Sequence, residues 1–196
     1  MIVPIYYFGP IDYWSFLIKE KAIVFEKEDN FQKETYRNRT YIYGPQGRLI
    51  LSIPIKHESK RKYKEQCICY DYPWQKQHFR SLKIAYQNSC YFEFYEHEFY
   101  SIFRKKEKFL IDFNYKCISL IFSLLNIEKS LDFTEFYKKT YEKDLRHSFI
   151  PRESTIAPPP AYHQVFYEKK GFIQNLSILD LIFNKGKESI DYLNNI

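Results

Sequence analysis

The residues best suited to binding chemistry form one polar stretch, residues 26–39, with the sequence E-K-E-D-N-F-Q-K-E-T-Y-R-N-R. Solvated loops are usually rich in glycine, serine and proline, and this stretch contains none of the three. It offers instead side chains that make directed hydrogen bonds, and we predict that these bind substrate. They are Asn30, Gln32, Lys33, Tyr36, Arg37, Asn38 and Arg39. The stretch therefore predicts a site for an anionic or polyhydroxylated small molecule.

The two arginines of this stretch favour an anion. Arg37 and Arg39 are alternate residues at the start of a predicted strand, so both side chains can point to one face. With Lys33 they suit a phosphate, a pyrophosphate or a carboxylate, because a guanidinium pairs two oxygens at once. A sugar nucleotide or an acyl phosphate carries such groups. The alternative is a surface network of ion pairs with the carboxylates of the same stretch.

His78 is the first candidate for acid–base catalysis. It lies on the apolar stripe of a predicted helix, 74–88, and a buried histidine near a carboxylate can titrate around neutrality. The alternative is a core histidine that hydrogen-bonds to the backbone. Trp74, one turn earlier, could stack on a sugar ring, although core packing explains it as well. Tyr7, at the end of the first predicted strand, is expected to line the same pocket.

Asp180 is the second catalytic candidate, because a carboxylate buried between two leucines needs a partner. Asn175 is a candidate substrate ligand beside it. The pattern Ser177-x-x-Asp180 also fits a helix capping box, which needs no ligand.

No cofactor or metal is expected. The chain has neither G-x-G-x-x-G nor G-x-x-x-x-G-K, the two common phosphate-binding motifs. Its cysteines lack a second Cys/His pair at the spacing of a zinc finger and are expected to be reduced thiols. They are weak candidates for a nucleophile.

The elements that must position these residues begin with strand 2–7, a helix from Asp12 to about Lys19, and strand 22–25. This order predicts a βαβ unit with a parallel pair and a right-handed crossover. In open α/β sheets the ligand usually binds at the turn after such a strand. We therefore expect the site between this turn, the segment 30–39 and His78.

Turn residues 44–47, G-P-Q-G, predict a hairpin between strands 38–43 and 48–56. The remaining predicted elements are a strand at 64–71, an irregular aromatic segment at 91–100, and helices at 106–126, 133–141, 176–183 and 189–193. The fold class is α/β: a single domain, 1–196, with a mixed sheet that opens with the βαβ unit and is flanked by helices. The proline-rich segment 144–167 is expected to close over the site as a lid.

Composition limits the class of protein. No run of about 18 apolar residues is present, so no membrane span is expected. The N-terminus lacks the features of a signal peptide, which favours a cytoplasmic protein. The net charge of +6 and the 20% aromatic content raise nucleic acid as a partner, but an AT-biased composition explains much of the aromatic excess. We rank nucleic acid last, behind an anionic small-molecule substrate, and the oligomeric state stays open.

The motifs resemble the WbqC-like family of bacterial proteins, in the form found in Bacteroidetes. The residues that carry the resemblance are Tyr7–Ile11, Asn30–Lys33, Tyr36–Arg39, Leu51–Ile55, Trp74, His78, Tyr86, Gly171-Phe172 and Asn175–Asn184. The resemblance implies a role in O-antigen or other surface-polysaccharide biosynthesis. For this family, transfer of glycine or another aminoacyl group to sugars has been suggested, with no established catalytic residues.

The leading hypothesis is a cytoplasmic transferase that moves an acyl or aminoacyl group to a sugar or nucleotide sugar. Arg37 and Arg39 would hold the anion, and His78 would act as the base. A second hypothesis is a non-catalytic nucleotide- or sugar-binding component of the same pathway. A third, a nucleic-acid-binding protein, predicts basic residues on an open face instead of around a pocket.

Overall fold

The computed structural model describes residues 1–56, 60–151 and 159–196. The chain opens with the predicted βαβ unit. Strands β1 (Ile2–Pro4) and β2 (Ile23–Glu26) pair in parallel, with helix α1 (Ile11–Lys19) between them. The first strand is shorter than predicted, because residues 5–7 leave the sheet, and Tyr7 pairs through its backbone with Tyr36.

The predicted hairpin is also present. Strands β3 (Arg39–Gly44) and β4 (Gly47–Ser52) are antiparallel, and Gly44 pairs with Gly47 at the turn. Gly47 has φ +110°, a backbone conformation that favours glycine. The hairpin forms a two-stranded sheet of its own. The α/β fold class is thus confirmed, with its parallel and antiparallel pairings divided between two sheets.

Three helices make up the centre of the chain: α2 (Trp74–Tyr86), α3 (Phe92–Arg104) and α4 (Leu110–Leu124). Helices α2 and α4 occur where they were predicted. The prediction of an irregular segment at 91–100 is wrong, because α3 buries a helical stripe of aromatic side chains that includes Phe92, Phe99 and Phe103. The predicted strand at 64–71 is instead a single 3-10 turn, Tyr63–Glu65, followed by isolated bridges.

Strand β5 (Leu131–Phe133) joins the parallel sheet beside β2, giving the order β1-β2-β5. The predicted helix at 133–141 does not form. The backbone N–H of Thr134 donates to the carbonyl of Phe25 and so continues the strand pairing. The guanidinium of Arg146 donates hydrogen bonds to the carbonyls of Lys138 and Lys139. Tertiary partners thus replace the hydrogen bonds that a helix would make.

The C-terminal part contains α5 (Tyr167–Lys170), α6 (Ile178–Lys185) and α7 (Ser189–Asn194). Ser177 caps α6, since its hydroxyl accepts from the backbone N–H of Leu179 at 3.3 Å, and the helix ends at Gly186 with φ +57°. One cluster of buried side chains extends from β1 to α7, and nearly half of its members are aromatic. Within the described ranges, no helix is long and apolar enough to cross a bilayer.

Candidate functional site

The strongest candidate site is a surface cleft of about 470 Å³ between the segment 30–33 and residues of 55–56 and 60–66. We call it the basic cleft. Four of the side chains that line it carry a positive charge, two are amides and two are apolar. They are Asn30, Phe31, Lys33, Ile55, Lys56, Lys60, Arg61 and Gln66.

Backbone pairing builds the walls of the basic cleft. The N–H of Phe31 donates to the carbonyl of Arg61 at 2.8 Å, and the N–H of Tyr63 donates to Asp29 at 2.9 Å. On the other side, the N–H of Lys56 donates to Cys67 at 2.9 Å. The side-chain amide of Gln66 then binds the carbonyls of residues 60 and 62, both at 3.0 Å. Residues far apart in sequence are thus held side by side.

Two acidic side chains near the cleft, Glu28 and Asp29, are paired with cations that do not line it. Both oxygens of Glu28 are bound, one to Lys62 at 3.0 Å and one to Lys64 at 2.6 Å. The hydrogen bond from Lys64 is the largest cause that lowers the pKa of this carboxyl. None of the ion pairs among the described residues involves Lys33, Lys56 or Arg61. Among the described residues that line the cleft, positive charge is therefore concentrated without a carboxylate.

Arg37 does not share this environment. Its guanidinium is 1% exposed, donates to the carboxylate of Asp29 and to the carbonyl of Asn30, each at 2.7 Å, and lies 5.2 Å from the ring of Tyr63. The residue belongs to a turn, because β3 begins only at Arg39, so the premise that both arginines start a strand is wrong. Arg37 thus stabilises the segment from inside, and an anion would have to displace Asp29 to reach it.

The other predicted substrate ligands are distributed over several environments. Asn30 and Lys33 line the basic cleft. Gln32 contacts the imidazole of His147 at 3.1 Å. Tyr36 is buried in the aromatic core, and Asn38 donates to the carbonyl of Ile53 at 3.0 Å.

Arg39 is partly buried, and its Nε has no hydrogen-bond partner among the described residues. Neither Arg39 nor Arg37 lines the basic cleft, and the two guanidiniums do not form the predicted anion clamp there.

His78 is 6% exposed and lies in the core, as its position on the apolar stripe predicted. Its Nδ1 is 2.9 Å from the hydroxyl of Tyr7, and the ring of Trp74 packs edge-on at 5.1 Å. Burial lowers the pKa of His78 to about 4, against a smaller opposite effect of a backbone hydrogen bond with Ser52. The imidazole is therefore neutral at physiological pH. This geometry matches the alternative of a core histidine, and His78 does not line the basic cleft.

Asp180 is fully buried and accepts hydrogen bonds from Tyr86 at 2.9 Å, from Gln164 at 2.9 Å and from Tyr162. Burial raises its pKa to about 6, although the three hydrogen bonds act in the opposite direction. We call these four residues the Asp180 cluster.

Asn175 has φ +51°, and its side-chain oxygen accepts from the N–H of Asp12 at 3.1 Å. Neither Asp180 nor Asn175 lines the basic cleft.

Sequence reasoning missed six residues of the cleft: Phe31, Ile55, Lys56, Lys60, Arg61 and Gln66. The signal for Lys60 and Arg61 was the basic run at 57–62, H-E-S-K-R-K, which by itself is typical of a solvated loop. Within that run, residues 57–59 lie outside the described residues, as do residues 152–158 of the predicted lid. The lid therefore stays a prediction.

In the ranges that the structure describes, no three His, Cys, Asp or Glu side chains converge as metal ligands.

The fold and the cleft define an α/β protein with a cationic pocket on its surface. The model of the WbqC-like protein family matches residues 5–154, most of the chain, and the chain belongs to that family. This confirms the resemblance found in the sequence motifs. Comparisons with curated proteins and with solved structures gave no match.

Proposed function

We propose that this protein is a cytoplasmic transferase that moves an acyl or aminoacyl group to a sugar or nucleotide sugar in surface-polysaccharide biosynthesis. The basic cleft holds the anionic part of the substrate. The observation that carries the proposal is that Lys33, Lys56 and Arg61 line one cleft and form no ion pair with the described residues. Family membership supports the pathway, since the sequence motifs resemble proteins for which such transfer has been suggested.

The reaction exchanges one bond at an acyl carbon. The bond from the acyl carbon to the leaving group of an activated donor breaks, and the leaving group departs with the electron pair. A sugar amine or hydroxyl forms the new C–N or C–O bond and gives its proton to a base. His78 is neutral, as a base must be, but it faces Tyr7 in the core. The geometry therefore supports anion binding more directly than it supports His78 as the base.

The non-catalytic alternative rests on one specific observation. Among the described residues that line the basic cleft there is neither a carboxylate nor an imidazole. A binding component of the pathway would need only the cations. Mass spectrometry separates the two functions, because a transferase adds the mass of an acyl group to a nucleotide sugar in the presence of an activated acyl donor. Binding without any such product, over a panel of donors, favours the binding component.

Calorimetric titration with pyrophosphate tests the cleft itself. Arg61→Gln and Lys56→Gln should each weaken binding about tenfold, because a hydrogen bond to a charged group contributes about 1.5–3 kcal/mol. Lys21→Gln is the matched control, since Lys21 is exposed and lies outside the cleft. Equal affinity in all three variants would contradict the proposal. Binding of single-stranded oligonucleotides with a steep loss in salt would favour the nucleic-acid alternative instead.

A further inference from the structure

The basic cleft contains an aromatic wall in addition to its cations. Phe31 lines it, and the centroid of its ring lies 6.1 Å from that of Tyr63 at an interplanar angle of 36°. Tyr63 is fully buried and is fixed by hydrogen bonds from its hydroxyl to the carbonyl of Ile5 at 2.8 Å and from Asn114 at 2.6 Å. Phe31 is therefore supported from the core side, while the partly exposed remainder of its ring borders the cleft.

Cations line the same cleft as this ring. Phe31 and Arg61 are joined by a backbone hydrogen bond of 2.8 Å, and both side chains line the same cleft. Lys56 lines the same cleft and follows Ile55, which supplies the second apolar side chain. The volume of about 470 Å³ falls within the usual size of small-molecule sites, about 300–1,000 Å³.

This combination discriminates between the anions that the cleft could hold. Inorganic phosphate, pyrophosphate and acyl phosphates bring charge but no planar ring, and they would leave the apolar wall in contact with water. A nucleoside diphosphate brings both parts: a base that stacks on an aromatic face and a diphosphate that pairs with Arg and Lys. The side chain of Asn30 also lines the cleft and offers an amide donor and acceptor to a base edge.

We propose that the basic cleft binds a nucleoside diphosphate, with the base against Phe31 and the diphosphate at Lys56 and Arg61. This inference rests on the proposed function and deepens it. The substrate held in the cleft is then the nucleotide-linked sugar, and the acyl donor binds elsewhere.

Calorimetric titration with UDP, ADP, pyrophosphate and acetyl phosphate tests the proposal. The wild-type protein should bind UDP or ADP at least about tenfold more tightly than pyrophosphate, because stacking on an aromatic ring adds to the charge contacts. Phe31→Leu keeps an apolar side chain against Tyr63 but removes the ring, and it should abolish this preference while pyrophosphate binding is unchanged. Phe31→Tyr retains the ring and should preserve the preference. Phe136→Leu is the matched control, because Phe136 is 58% exposed and lies outside the cleft.

The possible outcomes separate the two proposals. Equal affinity for pyrophosphate and both nucleotides overturns the nucleotide inference and leaves an anion-binding cleft. Loss of all ligands together in Phe31→Leu, with an unchanged melting temperature, also overturns it, because the ring would then serve the shape of the cleft only. If no anion binds the wild-type protein, the proposed function itself fails.

Discussion

The basic cleft and the Asp180 cluster both contain ionisable side chains, but those side chains differ in what they contact. In the Asp180 cluster, both oxygens of the buried carboxylate accept hydrogen bonds from protein donors, namely Tyr86, Tyr162 and Gln164. In the cleft, Lys33, Lys56 and Arg61 have no ion-pair partner among the described residues. A charged side chain is thus available for binding only where the fold has supplied no counter-charge. Variants in both kinds of environment test this distinction.

The largest effect should come from the buried pair inside the polar stretch. Asp29→Asn leaves the guanidinium of Arg37 buried without a counter-charge, which should lower the free energy of unfolding by about 3–5 kcal/mol. Urea denaturation measures this change. Glu96→Gln is the control, because its ion pair with Lys83 is half exposed and contributes at most about 1 kcal/mol. A loss below 1 kcal/mol in Asp29→Asn would show that Arg37 is not held by this pair.

His78 should make the protein less stable in acid. Its pKa falls from the ordinary 6.5 to about 4 on folding, so the unfolded chain binds more protons between these values. The stability is fully present above pH 6.5 and is lost as the pH falls through 4, by about 3 kcal/mol in total. His78→Gln should remove this part of the pH dependence, measured by denaturation at pH 4 and pH 7. An unchanged pH profile would place the imidazole in contact with water.

Asp180 should have the opposite pH dependence. Its pKa rises from 3.8 to about 6 on folding, so the folded chain binds more protons in this range. Its contribution is fully present below pH 3.8 and is lost as the pH rises through 6, by about 2–3 kcal/mol. Because His78 acts in the opposite direction over this range, the test is the difference between variant and wild type: on going from pH 4 to pH 7, Asp180→Asn should gain more stability than the wild type. An equal or smaller gain in the variant would contradict the assignment.

The smallest stability effect should come from the basic cleft. Arg61→Gln should change the free energy of unfolding by no more than about 0.5 kcal/mol, because its charge has no ion-pair partner among the described residues. The same variant should lose pyrophosphate affinity, and that of the wild type should fall with rising ionic strength. Thermal melting and calorimetry on one preparation measure both quantities. A large loss of stability would assign Arg61 to the structure and not to the site.

Local patterns accounted for much of the fold. The βαβ unit, the hairpin at the G-P-Q-G turn, and helices α2, α4 and α6 follow from apolar periodicity and turn residues that lie close together in sequence. Helix α3 was missed because a run of aromatic residues does not distinguish a strand from a helix by itself. The helix predicted at 133–141 was lost to long-range bonds with β2 and Arg146.

The candidate site was predicted less completely. Asn30 and Lys33 line the basic cleft, whereas Arg37, His78 and Asp180 are buried and bound to other protein groups. The predicted roles of these three residues stay hypotheses. Their burial shows that a polar side chain on an apolar face first requires a partner within the protein.

By itself the sequence determined the family, the α/β class, the local elements and the excess of positive charge. Only the tertiary structure decided which polar side chains are paired. Tyr7 is hydrogen-bonded to His78, and Tyr86 donates to Asp180, across separations of 71 and 94 residues. Such contacts depend on how distant elements pack. For the same reason, no local pattern showed that Phe31 and Arg61 would lie side by side.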